Sequence, residues 1–182
     1  MIRRLFLIAA LVLGSLPALA QLSTPQIATL RANILADLAL ASKCVPSGDG
    51  PFDIAVAYNL PKAAPTYTVW RTVVPAASVG DAMNSSEVAG LTTANTNRLM
   101  VMQAYSGGSF NASRTDTRSG FDSVFSGAGG VLTRANLLIV WKRLATRAEA
   151  LFATGTGTDA VPGLLVFEGI LPVSDVQRAC TQ

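Results

Sequence analysis

The chain contains no histidine. That absence removes Ser-His-Asp and Cys-His catalysis, and most zinc and haem sites with them. Cysteine is nearly as scarce: Cys44 and Cys180 are the two in 182 residues. Two thiols without imidazole fall short of a tetrahedral metal set. Strong charge is missing as well. The net charge is +3, and Arg3 and Arg4, in the N-terminal segment discussed below, account for most of the excess. Nothing in that balance proposes DNA or RNA as a partner.

The lack of histidine does not remove carboxylate pairs. Asp49 and Asp53 flank a glycine-rich turn, and Asp116 and Asp122 fall on one predicted helix. A glycosidase needs two carboxylates at a defined separation across a cleft, and no spacing here marks such a pair. Asp49-Gly50 with Asp53 has too few oxygen ligands in register for a calcium loop. Helix capping and solvation are the commoner uses of such residues. No catalytic, cofactor-binding or metal-ligating residue is assigned, and no cofactor is expected.

The N-terminus, by contrast, is informative. Residues 1–21 read MIRRLFLIAALVLGSLPALAQ. Arg3 and Arg4 form a positive start, and Leu5 to Leu13 are uninterruptedly apolar. Gly14, Ser15 and Pro17 break the run, and Ala18-Leu19-Ala20 offers small residues at the positions signal peptidase reads. The apolar run is about half of what a spanning helix needs. The expectation is a Sec signal peptide over residues 1–20, cut between Ala20 and Gln21, followed by a single domain over 21–182. No later run is long enough to span a bilayer, so no membrane partner is expected after cleavage. The export expectation gives the cysteines a use. In an oxidising compartment, Cys44 and Cys180, near opposite ends of the mature chain, are a disulfide candidate; the alternative is two unrelated buried thiols.

Apolar periodicity predicts a mainly α domain of about five helices, with long glycine-rich loops and at most a minor β element. Thr24 is expected to cap a first helix with Pro25 at its first position, and Ile27, Leu30, Ile34, Leu38 and Ala41 form its stripe. After the break at Ser47 to Pro51, a short apolar element runs from Phe52 to Leu60. Thr66 to Val74 reads as a strand or extended chain, and Ala76 to Met83 as a short helix. Thr92 or Thr93 caps a helix to Tyr105, and Asn111 caps another from Ala112 to Phe125. Ser126 to Gly130 reads as a flexible joint. The longest helix is expected from Leu132 to Ala153, with Leu137, Leu138, Trp141, Leu144, Ala145, Ala148, Leu151 and Phe152 apolar and Arg143, Arg147 and Glu149 polar. Leu164 to Phe167 suggests a short strand, and Ser174 a cap for a last turn toward Cys180.

Gly155-Thr156-Gly157-Thr158-Asp159 resembles a phosphate loop in composition. It follows a predicted helix instead of preceding one and lacks the Gly-Lys-Ser/Thr ending, so a helix stop is the better reading. Gly127 to Gly130 lacks the spacing of a dinucleotide fingerprint. Arg143 and Arg147 are four apart and would share a helix face, with Lys142 and Arg134 nearby. With Trp70 and Arg71, which lie in the extended segment, they form the candidate interaction surface. Trp141 and Phe152 continue the apolar pattern and belong to the core.

Several stretches together carry a resemblance. They are LSTPQIATLRANILAD from Leu22, FDIAVAYN from Phe52, TVWRT from Thr68, FDSVFSGAGG from Phe121, WKRLATRAEALFATGTGTDA from Trp141, VFEG from Val166 and SDVQ from Ser174. In this order they resemble a family of small, uncharacterised virion- or assembly-associated proteins encoded by tailed phages and prophages. The resemblance spans nearly the whole mature chain and implies a non-enzymatic role in protein–protein contacts. Family members start near the position of Leu22, without a signal peptide, and the two cysteines are not part of the pattern. Both departures fit a phage-type domain adapted for export. The expected function is therefore a non-enzymatic, exported, phage-related interaction protein, periplasmic or secreted, whose partner is another protein or a second copy of itself. The alternatives are a virion head–tail or tail protein assembled in the cytoplasm and, more distantly, a periplasmic enzyme with a carboxylate site.

Overall fold

The computed structural model describes residues 22–182. The expected signal peptide and its cleavage point lie outside the described residues. The described chain is mainly helical with a minor β portion, as the periodicity indicates, but the helices are shorter and more numerous than about five.

Helix α1, Thr24–Ala36, is capped by Ser23, one residue earlier than expected; Ser23 N–H donates to Gln26 Oε1 at 2.9 Å in a capping box. Ile27, Leu30 and Ile34 are fully buried along one face. The stripe does not continue in one helix to Ala41. Asp37 is extended, and its carboxylate accepts from Ala39 N–H at 2.9 Å, which starts a separate turn, α2, Leu38–Ala41. Leu38 is thereby turned out, 93% exposed. The apolar segment after the glycine break is helix α3, Gly50–Asn59, with Pro51 in its first turn and Ile54, Ala55 and Tyr58 buried.

The middle of the chain is built from short pieces. Strands β1, Thr68–Trp70, and β2, Val74–Pro75, are followed by α4, Ala76–Ala82, and α5, Ser85–Ala89. Helix α6, Thr93–Tyr105, is capped by Thr92 and leads to β3, Ser109–Phe110, which pairs antiparallel with β2. Asn111 does not cap a helix. Its side chain accepts from Ser113 N–H at 2.9 Å in a turn, and α7 begins later, Thr115–Val124. The expected flexible joint is a 3-10 turn, Ala128–Gly130, held by the Arg134 guanidinium on the Phe125 and Gly127 carbonyls. Helix α8 then runs Val131–Trp141. Glu87 of α5 satisfies its open N-terminus, accepting from Leu132 and Thr133 N–H at 2.9 and 2.7 Å.

The largest departure from the sequence expectation follows. The single helix expected over Leu132 to Ala153 is two helices with a strand between them. Lys142–Leu144 form β4, antiparallel to β1 with Val69 opposite Arg143. Thr146 then starts α9, Arg147–Phe152, through a capping box with Glu149. The last helix, α10, Val173–Thr181, has Pro172 as its N-cap; Ser174 lies inside it. Leu164 to Phe167 is not a strand, although Leu164 bridges Thr154.

The buried side chains fall into two clusters. One gathers α1, α3, α9 and α10 around Ile27, Leu30, Ile34, Ile54, Tyr58 and Val176. The other gathers α4, α6, α7 and α8 around Val79, Phe121, Phe125, Leu137 and Trp141, with Phe121 edge-on to both Phe110 and Trp141. Cys44 and Cys180 form a disulfide, with Cα atoms 5.1 Å apart, and tie the chain after α2 to α10. Among the described residues no single helix is long and apolar enough to cross a membrane.

The glycine-rich loop after α9 wraps Tyr67. The Tyr67 hydroxyl donates to Gly155 O at 2.8 Å, and both Gly157 and Gly163 lie against its ring, so that a Cβ at either would overlap it. Gly157 also has φ +66°, which disfavours any other residue. Gly157→Ala is expected to cost roughly 1–3 kcal/mol through this overlap and the backbone strain. Denaturant unfolding of the variant checks this, and a cost near zero would mean that the loop is not packed on Tyr67.

Candidate functional site

The four candidate surface residues lie on different elements: Trp70 on β1 with Arg71 just after it, Arg143 on the paired strand β4, and Arg147 on α9. Arg143 lies on β4 and Arg147 at the start of α9, so the shared helix face expected from their spacing does not exist. Arg143 is committed internally. Its guanidinium grips Glu149 with two contacts of 2.6 and 2.7 Å and reaches Glu168 at 3.4 Å. Glu149 is 2% exposed and also accepts from Thr146 and Gly169 N–H. Burial alone would push its pKa up, but the Arg143, Thr146 and Gly169 donors outweigh that and hold the carboxyl below its usual range. In return, the hydrogen bond to Glu149 raises the Arg143 value. A buried carboxylate with every oxygen occupied is a structural anchor, not a general acid.

Arg147 lines a groove of about 670 Å³ with Asn33, Asp37, Ala57, Leu60, Lys62 and Leu151 among its other walls. Its guanidinium contacts Asp37 at 2.7 Å and lies 4.3 Å over the Tyr58 ring. The hydrogen bond from Arg147, with Ala39 N–H in support, holds the Asp37 carboxyl low. Burial raises the Tyr58 phenol, whose hydroxyl donates to Asn33 at 2.6 Å. Asn33, Asp37 and Tyr58 were not singled out by sequence. Asn33 lies on α1, Asp37 between α1 and α2, and Tyr58 on α3, each more than eighty residues from Arg147, and no local pattern announces the meeting.

Arg71 serves the backbone: its side chain donates to Val140 O at 3.2 Å and its N–H to Trp141 O at 2.8 Å. Trp70 is half-buried. The Arg118 guanidinium stacks on it at 4.3 Å, and the two line a cavity of about 270 Å³ with Asp122, Arg134, Leu138 and Trp141. Asp49 and Asp53 lie one turn apart at the start of α3, and Asp116 and Asp122 share α7. Asp53 pairs with Lys43 at 2.8 Å, Asp116 approaches Arg114 at 3.7 Å, and Asp122 is at the Trp70 cavity. No group of three or more cysteine, aspartate or glutamate side chains suited to a metal ion occurs among the described residues.

The least expected surface is on α8. Its inner face, Thr133, Leu137 and Trp141, is buried, yet Val131, Leu132, Leu138 and Ile139 on the outside are 50%, 56%, 42% and 73% exposed. With Ala135 these recur every three to four residues and form an apolar stripe facing solvent. The stripe runs into a shallow hollow lined by Ile139, Leu144, Lys142 and Arg143. No protein-family model, curated protein or solved structure matches the chain.

Proposed function

We propose that this is a non-enzymatic interaction protein, of phage-related origin and exported, whose partner is another protein chain. The outer face of α8 carries the reading. A helix that is apolar on both sides belongs in a protein interior, and a contiguous exposed apolar stripe marks a contact surface. The buried Glu149 carboxylate is fully engaged by Arg143, Thr146 and Gly169, which argues against a catalytic use for it. The disulfide supports export, because such bonds persist mainly in oxidising compartments. The ordered run of phage-like stretches supports the origin.

A photo-crosslinking residue at position 139, introduced in producing cells, tests the contact. The expected result is one discrete crosslinked product. Twice the chain mass identifies a second copy and favours the virion-type role; any other discrete mass identifies a separate partner. The same residue at Tyr105, which is 88% exposed and distant in sequence, serves as the control. No product at 139, or the same product from 105, would defeat the proposal.

A further inference from the structure

We propose that the occupant of the outer face of α8 is a second copy of this chain, whose own α8 packs antiparallel across a twofold axis at Ala135. The inference rests on the reading of this face as the contact surface and names what covers it. The first observation is the order of the exposed residues. Ala135 is exposed at the middle of the stripe, with Leu132 and Leu138 three residues to either side and Val131 and Ile139 four. The stripe therefore reads alike in both directions: β-branched, leucine, alanine, leucine, β-branched. A twofold contact is isologous, so a residue before the axis meets the one at the same distance after it. Antiparallel packing about Ala135 sets Val131 against the partner's Ile139 and Leu132 against the partner's Leu138. Ala135 meets the partner's Ala135, and these small side chains let the helices approach to about 8 Å, the short end of helix-pair spacing.

The second observation is what the face lacks. Asn136 is the one polar side chain among the exposed residues of α8, and none is charged. Arg134, on the flank, is turned back onto the Phe125 and Gly127 carbonyls. Two such faces meet without burying an unpaired or like charge. The third observation is charge at the ends of the helix. Glu87 sits at the N-terminal end, accepting from Leu132 and Thr133 N–H, and Lys142 and Arg143 follow the C-terminal end. Antiparallel packing opposes the two helix dipoles and brings the basic end of one copy to the acidic end of the other; parallel packing would set like ends together. Lys142 and Arg143 already pair with Asp159 and Glu149, so these ends set orientation more than affinity. One helix of 11 residues offers less than a standard interface, and the pair should be weak, with a dissociation constant of about 10–100 μM.

Sedimentation velocity of the purified, disulfide-bonded chain tests this, over concentrations from about 5 μM to about 1 mM. The expected result is a monomer–dimer equilibrium. Ala135→Glu sets two like charges against each other at the twofold axis and should weaken the dimer at least about tenfold. The site is exposed in the single chain, so an unchanged melting point in dilute solution shows that the fold is kept. Leu132→Glu and Leu138→Lys test the register. Each alone should weaken the dimer, and both in one chain should recover most of the loss, because the new carboxylate at 132 then faces the new ammonium at 138 of the partner subunit. Positions six apart do not pair along one helix, so the recovery reads the contact between copies. A chain that stays monomeric at about 1 mM overturns the proposal, as does a dimer indifferent to Ala135→Glu or not recovered by the charge pair. Self-association fails alone if the purified chain is monomeric while position 139 crosslinks in cells to a chain of another mass. A monomer with no discrete crosslink at 139 overturns the contact surface as well.

Discussion

Replacing Cys44 and Cys180 together with alanine should lower the unfolding free energy by up to about 5 kcal/mol, the largest loss expected from any change in this chain. The size of the effect follows from chain length, since the two residues are 136 apart in sequence. Joining them removes the loop-closure freedom of nearly the whole described chain from the unfolded state, and the gain grows with the logarithm of that length. Native contacts around the bond remain in the variant. Arg31 still donates to Ala179 O, and Leu22 N–H still reaches the buried Asp175. The fold should therefore persist at low temperature, with its melting point lower by about 2–4 °C for each kcal/mol lost. The weakening should appear first where α10 packs on α1 and α3. Amide exchange there should accelerate before that of α8, which belongs to the other cluster. Reduction of the wild type should reproduce the variant. A melting point unchanged by both treatments would show that the unfolded chain is compact without the bond, and that the disulfide adds no constraint.

That bond was legible in the sequence because it needs only two residues and a compartment. Other parts were not, for identifiable reasons. Leu137, Trp141, Ala145, Ala148 and Phe152 keep a helical period straight through Lys142–Leu144, so periodicity alone reads one helix. The break is imposed by pairing with Thr68–Trp70, seventy-odd residues earlier, and tertiary pairing overrides local propensity. One local sign was present: Thr146 and Glu149 have capping-box spacing inside the supposed helix. The candidate residues fared unevenly for the same reason. Trp70 and Arg147 do stand at cavities, but Arg118 meets Trp70 and Asp37 meets Arg147 only through the fold. The exposed stripe of α8 escaped notice because its residues look like core by composition. Only the packed structure shows which side is covered.

Glu149→Ala should be the most damaging single substitution, because one side chain closes three separate elements. It caps α9 through Thr146, fixes β4 through Arg143 and holds the last loop through Gly169 N–H. Removing one member of a buried ion pair costs about 3–5 kcal/mol. The low end applies, roughly 3 kcal/mol, because the Arg143 side chain is 31% exposed and its stranded charge can reach water. Glu168→Gln is the matched control. Glu168 is 41% exposed and 3.4 Å from the same guanidinium, so its loss should cost less than about 1 kcal/mol. Acidity separates the charge from the packing. The Glu149 carboxyl is held below its usual value in the folded chain, so the unfolded chain binds the extra proton as pH falls. Its stabilisation is complete above the unfolded value of about 4.3 and is lost as pH drops through the lower folded value. The gap between wild type and Glu149→Ala should thus be constant near neutral pH and narrow below about pH 4, when followed by urea unfolding. Glu149→Gln retains the shape and an acceptor for Thr146 N–H, and should recover part of the loss without the pH dependence. A gap that stays constant into acid would mean that packing, and not the Arg143–Glu149 charge pair, sets the junction between β4 and α9.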